Sequence, residues 1–270
     1  MLDGVAAAQS SVARAVVGDE RKLTAAVRRD AAVTRIGRAY PDRVEIRGRD
    51  LTGDLMGRLT FTEYFHLLLT GEEPTEDQRF FLDLLLVAIA EHGLMPTNVA
   101  ARMTLAADPD LLQGAVAAGI LGAGSVVLGT AEECARILEA DEEPLALARR
   151  IHEAGGKVPG FGHPVHRPVD PRAERILELA DERGVAGRHV ARARALREAV
   201  AEVWGKALTM NVSLPIAAVL LDLGFPAAAA KAVPILARTA SLLAHLAEEQ
   251  ERPVGFLLAR AAEEAVEYER

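Results

Sequence analysis

His163 and His166 lie three residues apart in the stretch Gly155 to Arg175, GGKVPGFGHPVHRPVDPRAER, which also holds four Gly and four Pro. An imidazole titrates near neutral pH, so a histidine that is held still can serve as a general acid or base. The neighbours suit that task. Gly160 and Gly162 allow close backbone approach to a ligand, while Pro159 and Pro164 stiffen the loop on either side of His163. A second chemistry is open to the same residues: His163, His166 and Asp170 are metal-ligand types, as in a metal-dependent hydrolase, although no further Cys or His cluster closes a coordination shell.

Other candidates carry less. His66 and His189 have no evident partner and read as solvated or core-edge residues, and His152 sits on a charged helix face. Cys134 is the single cysteine. It reads as ordinary helix surface, cannot form an internal disulfide and fits a reducing compartment. The run GILGAGSVVLG places Val127 where a dinucleotide fingerprint needs its third glycine, so close helix packing through small residues is the reading. Of only four lysines, Lys157 and Lys206 stand beside the loops of interest, and flexible ammonium groups suit a diphosphate.

The elements that must position these residues read as helices. Thr60 with Glu63 and Thr75 with Gln78 are capping boxes, and Gly71 and Gly93 are placed to close the two helices they open. Pro144 opens a third and Asp170-Pro171 caps and starts a fourth, while Pro226 and Pro253 fall at or near the first turns of the last two. Strand signal is confined to RVEIRGRDL, enough for one small hairpin. The expected fold class is all-α, with ten or more helices.

Composition narrows the function. A chain of 270 residues that is 50% apolar can bury a sizeable core, and a net charge of -8 argues against nucleic acid as a partner. Leu111 to Ala131 is uncharged for 21 residues, but it contains five Gly and has acidic flanks. That is wrong for membrane insertion and implies a buried helix. The N-terminal MLDGVAAAQS has no basic region followed by an apolar one, so no secretory signal is read and a cytoplasmic location is expected.

The segments RGRDLTGDLMGRLTFTEYFHLLLTGEEPT, AEHGLMPTNVAAR, AAGILGAGSVVLGTAEE, VPGFGHPVHRPVDPRAE, MNVSLPIAAVLLDLGF and ARTASLLAHLAEEQERP run in this order. Together, over roughly residues 42 to 255, they resemble the citrate synthase superfamily, most closely its short citryl-CoA lyase type. PGFGH…DPR and AHLAEEQERP are the specific elements. The resemblance implies a dimer of mostly helical subunits. It also implies a large lobe (about 1–130 and 224–270) and a small lobe (about 131–223), with a coenzyme A thioester and a polycarboxylate bound between them. It implies that His163 exchanges a proton with the hydroxyl or keto oxygen, and that His92, Arg172, Arg238 and Arg252 bind carboxylates, Arg252 from the partner subunit. Val158, Pro159, Gly160, Phe161, Gly162 and Arg167 correspond to the loop that contacts coenzyme A, and Lys206 to a contact with one of its phosphates. No metal is implied. Several fixed guanidinium forks are what a tricarboxylate needs.

Two positions depart from the family pattern. Leu128 replaces the histidine of LHGG, as in lyase-type members, which tilts the reading from synthase to lyase. Ser213 replaces the aspartate of NVD, the catalytic group that moves the proton at the α-carbon, and losing such a group typically costs roughly 10²- to 10⁴-fold. The expected activity is cleavage of citryl-CoA, or a related 3-hydroxy polycarboxyl-CoA, to acetyl-CoA and oxaloacetate. A synthase-type acyltransferase, or a non-catalytic protein that binds coenzyme A and a polycarboxylate, is the alternative.

Overall fold

The computed structural model describes residues 33–124 and 127–269. The N-terminal stretch read for a secretory signal lies outside them. The chain divides into two units, Met1–Leu59 and Thr60–Arg270.

Within the first unit, β1 (Gly37–Ala39), β2 (Val44–Ile46) and β3 (Arg49–Asp50) form an antiparallel sheet. Arg38 pairs with Glu45 and Ile46 with Arg49, so the expected hairpin gains a third strand. A single π turn, Leu51–Leu55, follows, and the Asp50 carboxylate caps it through the amides of Thr52 and Gly53.

The second unit is helical: α1 (Phe61–Thr70), α2 (Glu76–Ala90), α3 (Pro96–Ala107), α4 (Leu112–Leu121), α5 (Thr130–Glu139), α6 (Pro144–Glu153), α7 (Pro171–Glu182), α8 (Arg188–Trp204), α9 (Ser213–Asp222), α10 (Ala229–Glu251) and α11 (Gly255–Ala265). The fold is all-α, as expected. Both capping boxes form, and Gly71 closes α1 with φ 93°. Gly93 does not close α2. That helix stops at Ala90, and Glu91 turns extended, because its carboxylate is drawn to Ser241 and His245 of α10.

Leu214 to Leu220 of α9 are buried without a break. A helix apolar on every side belongs at the centre. Around it pack Phe81, Leu82 and Leu85 of α2, Ile176 of α7 and Leu196 of α8. A smaller cluster joins Ala101 and Leu105 of α3 to Leu242 and Leu246 of α10.

Four expectations need correction. Leu111 to Ala131 is not one buried helix: α4 ends at Leu121, which is 85% exposed, and α5 begins only at Thr130. Where packing is tight a glycine serves as a contact. A Cβ on Gly119 would lie 2.7 Å from Leu242. Cys134 is fully buried, and burial pushes its thiol up from the ordinary value, so it is neither surface nor nucleophile. His189 is buried and bonded to Asp222 at 2.8 Å, a carboxylate that also accepts from the amides of Gly187 and Val190. His66 is buried against Phe225, its Nδ1 2.8 Å from the Glu72 carbonyl.

Candidate functional site

The loop from Gly155 to Asp170 is fixed by backbone pairing to the segment ahead of α9. Gly162 donates its amide to the Thr209 carbonyl at 2.7 Å, and Asn211 donates to the Gly160 carbonyl at 2.8 Å. Gly160 (φ 85°) and Gly162 (φ 91°) occupy the left-handed region, which L side chains rarely adopt. At Gly160 space forbids a side chain as well, since a Cβ would meet Leu214 at 2.8 Å and Cys134 Sγ at 3.0 Å. The loop is thus clamped between α5 and α9.

Asp170 anchors the other end. Fully buried at the start of α7, its carboxylate accepts from the Arg172 amide (3.1 Å), from Arg172 Nε (3.0 Å) and from the Val212 amide (3.2 Å). Burial alone would raise this carboxyl. The bonds and charge of Arg172 outweigh it and hold the group below the ordinary carboxylate value.

His163 is oriented by its own loop. Its Nδ1 accepts the amides of Val165 (3.1 Å) and His166 (2.9 Å). Because an amide can only donate, these two bonds favour the neutral tautomer with its proton on Nε2; the Arg172 nitrogen 3.4 Å away is also a donor, so in that tautomer the longer contact is not a hydrogen bond. Burial, then the neighbouring His166, Arg172 and His92, lower its pKa from the ordinary histidine value, with Asp170 opposing. A neutral His163 therefore offers an N–H, suited to holding negative charge on a substrate oxygen.

His92 follows α2, with Nε2 3.2 Å from His166 Nε2. Burial, then Arg172, depress it likewise. The nitrogens of His92, His163 and His166 come within 4.8 Å of one another, so the third ligand-type side chain of the cluster is His92 and not the Asp170 that spacing suggested. The donor set fits a cation poorly. A ligating histidine normally gives its other ring nitrogen's proton to an acceptor, whereas His163 Nδ1 faces two donors and its Nε2 faces a guanidinium.

Arg238 of α10 is buried, donating to Asn98 Oδ1 at 2.9 Å while its Nε has no partner. Burial lowers its pKa, Glu91 opposing and Arg172 adding to the effect. A buried guanidinium with an idle donor is costly unless something supplies an acceptor.

Two cavities meet here. The inner one, about 240 Å³, is lined by His92, His163, Arg172, Ser213 and Arg238 among others. No Asp or Glu lines it among the described residues. The outer one, about 670 Å³, is lined by the Val158 to Gly162 backbone, Lys157, Lys206 and Trp204. Thr130, Gly162, His163, Pro164 and Asn211 border both. Ser213 opens α9, its amide bonded to Asn211 Oδ1 at 3.0 Å. Leu128 also borders the inner cavity, with an unusual φ of 66°.

Of the site residues that the resemblance implies, Arg167 and Arg252 line neither cavity, nor do His166 and Asp170 of the metal-ligand reading. Arg167 is exposed, and Arg252 is exposed at the end of α10. Two contributors escaped the sequence reading: Asn211 bridges loop and helix, and Trp204 walls the outer cavity. Asp170 was visible as a helix cap, but its pairing with Arg172 was not.

Known proteins agree with this architecture. The family model for the citrate synthase C-terminal domain matches residues 4–260, so the chain belongs to the citrate synthase family. It is 28% identical over 194 residues to the citrate synthase of Haloferax volcanii, covering 69% of this chain and 51% of that protein. The chain thus spans about half the length of that curated relative. Its fold is similar to that of citryl-CoA lyase from Hydrogenobacter thermophilus, with a TM-score of 0.75, 31% identity and coverage of 81% of this chain and 87% of that one. The ATP citrate lyase of Methanothrix soehngenii, solved with citrate and coenzyme A, shares the fold at a TM-score of 0.76 and 18% identity, over 93% of this chain and 44% of that one.

Proposed function

We propose that this chain binds a coenzyme A thioester in the outer cavity and a polycarboxylate in the inner one, and cleaves citryl-CoA or a close relative between them. The observation that carries the reading is the grouping of Arg172, Arg238, His92 and His163 in the wall of one cavity that no Asp or Glu lines among the described residues. A carboxylate is the natural counterpart of such a wall, and guanidinium forks bind one in fixed geometry.

In cleavage, the bond between the thioester α-carbon and the hydroxyl-bearing carbon breaks, and its electron pair passes to a thioester enolate. The hydroxyl oxygen becomes a ketone and its proton leaves to water. His163 Nε2–H holds the negative charge that builds on that oxygen, a more restricted part than the proton acceptor suggested by resemblance. The enolate carbon then takes a proton, which comes from solvent, since no Asp or Glu lines the inner cavity among the described residues. Arg172 and Arg238 hold the carboxylates, with His92 alongside, and Arg252 reaches the site of a partner subunit. Arg167 serves coenzyme A from the rim. The lobe boundaries near residues 130 and 223 belong to this reading. Cavity residues drawn from both stretches support them, with His92 and Arg238 on one side and His163 and Ser213 on the other.

Ser213 favours one other reading: a protein that binds both ligands without turning them over. Incubation with citryl-CoA, followed by assay of oxaloacetate and acetyl-CoA, separates the two. Binding by calorimetry with no product would establish the second.

A further inference from the structure

The outer cavity has lining residues that the inner one does not share. Trp204, Lys206 and Lys157 line it together with one acid, Glu133, and none of them borders the inner cavity. Trp204 is the only tryptophan in the chain. It is the last residue of α8, and Gly205, at φ 64°, turns the backbone so that Lys206 follows on the same wall. The indole is half-buried and packs T-shaped against His152 of α6, with ring centroids 4.7 Å apart and planes at 77°. A neighbouring ring thus braces it while part of its surface stays open to the cavity. Apolar side chains such as Phe161 and Leu208 line the same cavity.

An aromatic side chain and two ammonium groups in the wall of one cavity suit a phosphorylated purine nucleotide: the base stacks and the cations meet phosphates. We propose that Trp204 is the platform on which the adenine of the coenzyme A thioester stacks, with Lys157 and Lys206 facing its phosphates. This rests on the reading of the outer cavity as the thioester site and adds a specificity-determining residue to it. The apolar walls are then left for the pantetheine arm, which carries no ring and no use for an indole.

The single tryptophan makes the test direct. Coenzyme A, adenosine 3′,5′-bisphosphate and 4′-phosphopantetheine are titrated into the full chain while indole emission and binding heat are followed. Coenzyme A and the nucleotide are expected to change the emission, and 4′-phosphopantetheine to bind without changing it. Trp204→Ala is expected to weaken coenzyme A binding by about 5- to 100-fold, the range set by losing one base–aromatic stack, and Trp204→Phe to retain affinity within a few-fold. Should Trp204→Ala fail to fold by circular dichroism, the emission pattern of the natural chain and the Trp204→Phe affinity decide. Binding of coenzyme A with unaltered emission and an unaltered Kd in Trp204→Ala would overturn the purine assignment alone. No binding of coenzyme A in the calorimeter would overturn the thioester reading with it.

Discussion

A thioester enolate released by carbon–carbon cleavage must be protonated at carbon, and the hydroxyl of Ser213 is a poor acid for that purpose. With no Asp or Glu in the inner cavity wall among the described residues, proton delivery is expected to fall to water and turnover to be slow. Ser213→Asp is expected to raise cleavage, or the exchange of acetyl-CoA α-protons with solvent deuterium followed by NMR, and Ser213→Ala to leave both nearly unchanged. Loss of activity in Ser213→Ala with no gain in Ser213→Asp would mean that the serine works in a different mechanism. At His163 the expectation follows from the two amides bonded to Nδ1. Removing the Nε2–H that meets the substrate oxygen should slow cleavage by roughly 10²- to 10³-fold in His163→Ala, the cost of one oxyanion donor. Coenzyme A affinity should stay within a few-fold in a direct titration. His166→Ala should be milder, because its amide bond to His163 survives. That His163 is the key imidazole was legible from its glycine and proline setting. Which nitrogen carries the proton was not, since that depends on how the loop folds back over its own ring.

The helix α7 and the loop before it stand or fall with Asp170. This carboxylate caps the helix, pairs with Arg172 and takes the Val212 amide ahead of α9, so it ties three parts of the site together. Asp170→Asn is expected to cost about 1–3 kcal/mol, read as a lowered Tm, because it weakens the cap and leaves Arg172 without its charge partner. The pH dependence has a definite sign. A carboxyl depressed in the folded state adds stability above its ordinary value of about 3.9 and loses it as pH falls through that value towards the lower folded one. The gap in Tm between the natural chain and Asp170→Asn should therefore be full at pH 6 and should shrink below about pH 4. A constant gap would contradict this account of the pair. Elements governed by near neighbours, such as the two capping boxes and the Asp170-Pro171 start, were readable because cap and partner lie within three residues. Elements governed by distant partners were not. Glu91 leaves α2 for Ser241 and His245 on α10, and His189 finds Asp222 33 residues away. Periodicity holds no trace of either pairing.

For the molecule as a whole, the resemblance places Arg252 in the site of a second subunit, and here it lies exposed at the end of α10, outside both cavities. A homodimer is the expected state, and sedimentation that found a stable, well-folded monomer at micromolar concentration would count against it. Arg252→Ala should then impair polycarboxylate use while leaving dimerisation and coenzyme A binding intact, because the guanidinium acts across the interface. Among the described residues no helix is long and apolar enough to cross a membrane, and within the uncharged stretch after Asp110 Gly119 packs closely against Leu242. Beneath these expectations lies one claim, that Arg172, Arg238 and His163 hold a citryl thioester for cleavage. The measurement that tests it most directly is a single-turnover incubation of purified protein with citryl-CoA, analysed for products. The account predicts oxaloacetate and acetyl-CoA in equal amounts, lost in His163→Ala. Intact citryl-CoA recovered from a protein that binds it would contradict the account and leave a ligand-binding relative of the enzymes.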